Sequence, residues 1–205
     1  MTDPTAGRDS TTIARVWHLA EPARVIASAS VGGGIGLRNW IINAQVPRDY
    51  DRTDLEHHVT EIAHVNGCTG IGVGMLTAAS IERARELTEG DVVAYASVGV
   101  TKPTWAADAD GAISPWKAGT INIVAFLPEP LTDDALVNAV MTVTEAKSQA
   151  MVEGGVPGTG TASDAVCVVC PARGAPQRFA GPRSPLGAPL ARAVFAAVAA
   201  GIVHA

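Results

Sequence analysis

Cysteine is scarce: three residues in a chain of 205. An odd number leaves at least one unpaired within the chain, which fits a reducing compartment better than a disulfide scaffold. Aromatics make up 4% and the net charge is −5 with no basic cluster, so base stacking and phosphate neutralisation both lack residues, and nucleic acid is not an expected partner. The start, MTDPTAGRDSTT, has no apolar core of a secretion signal. The most apolar run, 186–203, is alanine-rich and carries Pro189 and Arg192. It reads as a buried terminal helix rather than a membrane span. The expectation is a cytoplasmic protein without a membrane span. Four motifs are also missing. There is no G-x-x-x-x-G-K-[ST] loop, no H-E-x-x-H and no G-x-S-x-G, and the glycines of 32–36 break the G-x-G-x-x-G spacing because Leu37 or Asn39 stands where the third should be.

What is present supports one core. Hydrophobic residues make up 47%, without an internal repeat or a linker. Residues 1–12 read as a disordered or extended tail and 13–205 as a single domain. Alternation predicts strands over 16–19 and 24–30, separated by a turn at Glu21-Pro22, and further strands over 37–46, 70–76, 91–100, 119–127 and 164–170. Helices are expected near 54–66, with Thr53 as cap and Glu56 completing a capping box, and near 78–88, capped by Thr77. Two more are expected at 132–152 and 186–203. The fold class is α+β, a largely antiparallel sheet or pair of sheets covered by about four helices.

The chain is organised around 142–164, TVTEAKSQAMVEGGVPGTGTASD. On a 3.6-residue wheel, Leu136, Ala139, Val140, Val143, Lys147, Ala150 and Met151 share one arc, so Lys147 sits among apolar residues, where an unpaired ammonium is costly. Glu145 lies almost opposite and cannot pair with it on a regular helix. The competing reading is a snorkelling lysine near the helix C-terminus and a solvated glutamate. The glycines at 154, 155, 158 and 160 favour the functional reading, as backbone free to turn amides toward a ligand among Thr159, Thr161, Ser163 and Asp164.

Two other clusters invite bland readings. His57, Glu61 and His64 have metal-compatible spacing but face away from the core stripe of their helix, so they read as a solvated face, and no metal site is expected. Cys167 and Cys170 are three apart in an apolar strand and so point to opposite faces, which fits core packing rather than redox chemistry. The irregular stretch 102–117 holds Trp105 and Trp116 and reads as a rim over a ligand, against the alternative of a loop folded on the surface.

In order along the chain, SVGGGIGLRNWIINAQVPRDY, GVGMLTAA, SVGVTKP, AGTINIVAFL, LVNAVMTVTEAKSQAM and GTGTASDAV resemble the adenosylcobinamide amidohydrolase (CbiZ-type) family over roughly residues 24–170. The resemblance implies hydrolysis of the amide joining the aminopropanol arm to the corrin ring. Its products would be adenosylcobyric acid and 1-amino-2-propanol, in cobalamin salvage. The recurring blocks fall on Asn43, Thr77, Thr120, Asn122, Glu145, Lys147, Thr159, Thr161, Ser163 and Asp164.

Amide hydrolysis needs a nucleophile, oxyanion donors and an acid for the amine. Glu145 or Asp164 is the candidate base, and Thr120 and Thr161 are the candidate nucleophiles. Lys147 and the amides of 158–163 would hold the oxyanion. Asn43, Thr77, Trp105, Trp116, Asn122, Thr159, Gly160 and Ser163 are the expected substrate contacts. No cofactor is expected, since the corrinoid cobalt belongs to the substrate, and a homo-oligomer is left open. The alternative is a corrinoid-binding module that does not hydrolyse. On this reading Lys147→Met folds and loses about 100-fold in turnover.

Overall fold

The computed structural model describes residues 12–108 and 119–203. Its architecture is α+β, one seven-stranded mixed sheet with three α-helices among the described residues. The strands are β1 (Ala14–Ala27), β2 (Gly34–Gln45), β3 (Gly72–Thr77), β4 (Arg85–Glu89), β5 (Val92–Gly99), β6 (Thr120–Phe126) and β7 (Ala165–Cys170), in the order β3-β2-β1-β7-β6-β5-β4. The helices are α1 (Leu55–Val65), α2 (Asp133–Glu153) and α3 (Gly187–Ile202).

Four of the six strand pairings are antiparallel, and the expectation needs correction at the other two. β2 pairs with β3, and β6 with β7, in parallel. Parallel neighbours need a crossover, and α1 and α2 are those crossovers. The fourth expected helix, 78–88, does not form. A single 3-10 turn, Ile81–Arg83, is followed by β4, which makes a hairpin with β5. The pair Glu89↔Val92 closes a two-residue loop at Gly90-Asp91, with Gly90 at φ +59°. That Gly-Asp turn and the alternation of Arg85–Glu89 outweigh the helix propensity of its glutamates and arginine.

Two further differences are local. The strands expected on either side of Glu21-Pro22 are one strand, β1. Its pairing with β2 jumps from His18↔Trp40 to Ala23↔Arg38, so the proline sits in a bulge where it owes no ladder bond. Helix α1 starts after Asp54, not Thr53, and has no side-chain cap bond. The Asp54 carboxylate is instead held by Arg52, whose guanidinium keeps it down at about 2. The cysteine expectation agrees with the structure, since Cys167 and Cys170 fall in separate buried clusters.

Alternation divides each strand between two faces. One carries Ala94, Ala96, Ile121 and Ile123 and buries them under α2 and α3 through Leu136, Val143, Leu190 and Val194. On the same side, Ile42 and Ala44 of β2 meet Val59 and Ile62 of α1. No helix contributes to the apolar cluster on the other face, which holds Val25, Ile41, Met75, Tyr95 and Val124, with Trp17 edge-on to Tyr95 at 4.9 Å. That face closes on itself. β2 and β5 are separated by three strands in the sheet order, yet Asn43 donates to Ser97 at 2.9 Å. Asn122 of β6 donates to the Leu76 carbonyl of β3 at 3.0 Å. The sheet is curled until its two ends nearly meet, and its inner face becomes an interior.

The seat of α1 depends on one missing side chain. A Cβ on Gly74 would lie 2.2 Å from Val59 Cγ1. Gly74→Ala is therefore expected to cost about 1–3 kcal/mol by overpacking, with Val59→Ala in the same protein recovering part of the loss. Denaturant melts of the single and double variants measure this, and additive losses would remove the contact as the cause.

Candidate active site

The strand β7 begins at Ala165, and its parallel register sets Ala165 beside Asn122 of β6. The residue just before it, Asp164, therefore lies next to Ile121, whose amide donates to Asp164 Oδ1 at 2.9 Å. From above, α2 lowers Lys147 out of its apolar arc. Its Nζ lies 2.5 Å from Asp164 Oδ2, and the two side chains are 10% and 11% exposed. The buried ammonium has its partner, and that partner is not the nearby Glu145.

Asp164 is fully engaged. Oδ1 takes the Ile121 amide and the Thr161 hydroxyl at 2.5 Å, and Oδ2 takes Lys147 and the Thr161 amide at 3.1 Å. These four donors match the lone-pair capacity of a carboxylate. The Thr161 hydroxyl also lies 2.7 Å from the Gly119 carbonyl. With one proton to donate, it can serve only one of its two acceptors at a time.

The loop glycines have a different purpose from the one expected. Gly158 and Gly160 are not at positive φ. A Cβ on Gly160 would stand 2.4 Å from Lys147 Nζ and 2.3 Å from Asp164 Oδ2, and one on Gly158 would strike the Thr104 backbone at 2.7 Å. They are glycines because the ion pair and a neighbouring segment press against them. Thr104 and the loop exchange backbone bonds, Thr104 N to Gly160 O and Thr159 N to Thr104 O, both 2.9 Å.

Beside this anchor a cleft of about 280 Å³ opens, whose lining includes the polar residues Thr77, Thr120, Asn122, Ser163 and Asp164 together with Val31, Pro47, Arg48, Tyr50, Leu55 and Ala162. Among the described residues, Asp164 is the only carboxylate in that lining. Thr120 Oγ1 and Ser163 Oγ are 2.7 Å apart, and Ser163 also reaches the Gly119 carbonyl at 3.1 Å. Thr77 lines the wall with its hydroxyl accepting the Ala79 amide at 3.0 Å. Asn43 does not line the cleft but holds Asn122, accepting its Nδ2 at 2.8 Å. Among the described residues, no bond ties down the amides of Ala162 or Ser163.

The remaining expected residues lie elsewhere. Glu145 is exposed on α2 and does not line the cleft. Thr161 and Lys147 stand behind Asp164, outside the lining, and Thr159 is used in the bridge to Thr104. Trp105, 48% exposed, is beyond the cleft, and Trp116 lies outside the described residues. In the histidine trio, Glu61 is shared between His57 at 3.1 Å and Arg52 at 3.0 Å. Among the described residues no cluster of three potential metal ligands occurs.

Sequence reasoning missed Tyr50 and the polar pair on β5. The Tyr50 hydroxyl lies 2.7 Å from His58 Nδ1, and burial pushes that imidazole down from its ordinary value. Tyr95 and Ser97 alternate with alanines and valines in β5 and both contact Asn43. Polar residues recurring on one face of an otherwise apolar strand were the available signal.

Paired hydroxyls beside a buried carboxylate are equipment for acyl transfer by hydrolysis. The comparisons narrow this class. The family model described as adenosylcobinamide amidohydrolase matches residues 3–205. A Methanosarcina mazei protein named adenosylcobinamide amidohydrolase is 30% identical over 201 residues, covering 91% of this chain and 96% of its own length. A Halobacterium salinarum protein of the same name is 31% identical over 195 residues, covering 91% and 84%. The chain belongs to the adenosylcobinamide amidohydrolase (CbiZ) family, and it is a hydrolase acting on an amide. Among the described residues, no helix is long and apolar enough to cross a membrane.

The ion pair changes what Lys147→Met should do. Removing one member of a buried pair strands the other, at about 3–5 kcal/mol, so the variant is expected to lose stability as well as activity. Lys147→Met combined with Asp164→Asn should cost less than the sum of the two single changes. A double-mutant cycle by urea denaturation measures the coupling, and strict additivity would show that the pair contributes nothing to the fold.

Proposed function

We propose that this protein hydrolyses the amide joining the aminopropanol arm to the corrin ring of adenosylcobinamide, yielding adenosylcobyric acid and 1-amino-2-propanol for cobalamin salvage. The observation that carries the reading is the hydroxyl-lined cleft beside Asp164, in a chain matched along nearly its whole length by that family. At about 280 Å³ it falls below the ~300–1,000 Å³ of pockets that enclose whole drug-sized ligands. A corrin ring would sit against the mouth, where Val31, Pro47, Tyr50 and Leu55 offer apolar surface, and only the amide-bearing arm would enter.

In this scheme Thr120 is the nucleophile, preferred to Thr161 because its hydroxyl is on the cleft. Its Oγ attacks the amide carbon, and the carbonyl oxygen gathers negative charge toward the amides of Ala162 and Ser163. The Thr161 hydroxyl turns to the Gly119 carbonyl, freeing Asp164 Oδ1 to take the proton from Thr120 and return it to the departing amine. The C–N bond breaks and 1-amino-2-propanol leaves. Water then attacks the threonyl ester, giving adenosylcobyric acid and restoring the hydroxyl. Lys147 keeps Asp164 in place, and no cofactor enters the scheme.

Purified protein incubated with adenosylcobinamide should release adenosylcobyric acid and 1-amino-2-propanol in equal amounts by mass spectrometry. Tight binding of an unchanged corrinoid would instead establish a binding module. Thr120→Ala should lower turnover by about 100-fold or more, with Thr120→Ser restoring much of it. A Thr120→Ala protein with parental kcat would move the attack to water or to Ser163.

A further inference from the structure

Asn122 lies within β6, is 1% exposed, and is among the residues that line the cleft. Its Nδ2 donates to the Leu76 carbonyl at 3.0 Å and to Asn43 Oδ1 at 2.8 Å. A backbone carbonyl only accepts, so the first bond fixes which end of the amide is nitrogen. The second bond follows from the first, because Asn43 must then present Oδ1 to Asn122, which leaves its Nδ2 to the hydroxyls of Ser97 at 2.9 Å and Tyr95 at 3.4 Å. Both hydrogens of Asn122 are committed and its orientation is locked. Its Oδ1, by contrast, is buried with no hydrogen-bond partner among the described residues. A buried acceptor with no donor is uncommon in folded proteins, and this one is held rigidly beside the cleft.

We propose that Asn122 is a specificity-determining residue whose Oδ1 accepts the N–H of the scissile amide, so that the site selects amides over esters. The inference rests on the amide-hydrolase reading above. A trans amide presents its C=O and N–H on opposite edges of one plane, so it must be read by a donor on one side and an acceptor on the other. The strand supplies such a frame. Thr120 and Asn122 are two residues apart on one face of β6, roughly 6.5 Å along the strand. An N–H···O bond of about 2.9 Å and an attack distance of about 3–3.5 Å, joined through the C–N bond, fit that span. An ester places an oxygen lone pair where the N–H would be, against an acceptor with no donor to offer.

The experiment compares adenosylcobinamide with its ester isostere, in which oxygen replaces the nitrogen of the arm, on the full-length protein. The parent should show a KM for the ester about tenfold or more above that for the amide, the scale of one unmet buried polar group. Asn122→Ala should lower kcat/KM for the amide by about 10- to 100-fold and leave the ester within about threefold, raising the ester-to-amide ratio. A merely structural role would depress both substrates together and leave that ratio unchanged, which overturns the proposal. Should Asn122→Ala fail to fold, the parent protein alone decides, since equal KM values for ester and amide would also overturn it. Cleavage of neither compound by the parent would reject the substrate assignment itself. Cleavage of both with an unshifted ratio rejects only the role given to Asn122.

Discussion

The contact between Lys147 and Asp164 organises everything around it. It joins the C-terminal third of α2 to the turn that leads into β7, and neither charge could stay buried without the other. The same carboxylate binds the Ile121 amide on β6 and both donors of Thr161. One aspartate thus ties together helix α2, strand β6 and the loop that leads from α2 to β7. Gly160 follows from this arrangement, because the ion pair occupies the space a side chain would need.

The second constraint is the curl of the sheet. The helices take one face, which is apolar almost throughout. The inner face is not uniformly apolar, and polar residues gather where it borders the cleft. Asn43, Thr77, Ser97, Thr120 and Asn122 are all buried there. Each is set by the two-residue period of its own strand, and Asn43, Ser97 and Asn122 bond across to strands that are not their neighbours in the sheet order. Function and closure use the same residues, since the bonds of Asn43 to β5 and β6 hold the ends of the sheet together as well as orienting Asn122.

Much of this was legible in the residues. The apolar arc of α2 pointed to Lys147 as a buried charge, and strand alternation separated Cys167 from Cys170. What the sequence could not show was partnership. Lys147 and Asp164 are seventeen positions apart, and only the α2 crossover and the parallel register of β6 and β7 bring them into contact. Glu145, the nearer carboxylate, had the better claim by proximity and lost it to helix geometry. The missed hairpin at 85–99 has a local cause, because glutamate- and arginine-rich segments read as helix until the Gly90-Asp91 turn is given its weight. Asn43 and Asn122 could be suspected from the strands alone, while the lone Oδ1 of Asn122 emerges only when every donor around it is accounted for.

The GTGT loop shows how glycine can mislead. Glycine-rich segments suggest freedom, and freedom suggests a loop that wraps a ligand. Here the two glycines that matter have ordinary backbone angles and are pressed against neighbours on both sides, Thr104 against Gly158 and the ion pair against Gly160. The consequence runs opposite to flexibility. Thr161, Ser163 and Asp164 are carried on a segment fastened by backbone bonds to Thr104 and by the carboxylate to α2 and β6, so their hydroxyl and carboxyl oxygens are positioned before any substrate arrives. Donors that need no rearrangement when charge develops are worth more to a transition state than mobile ones. In this protein the glycines serve the anchor by being small enough to let it close.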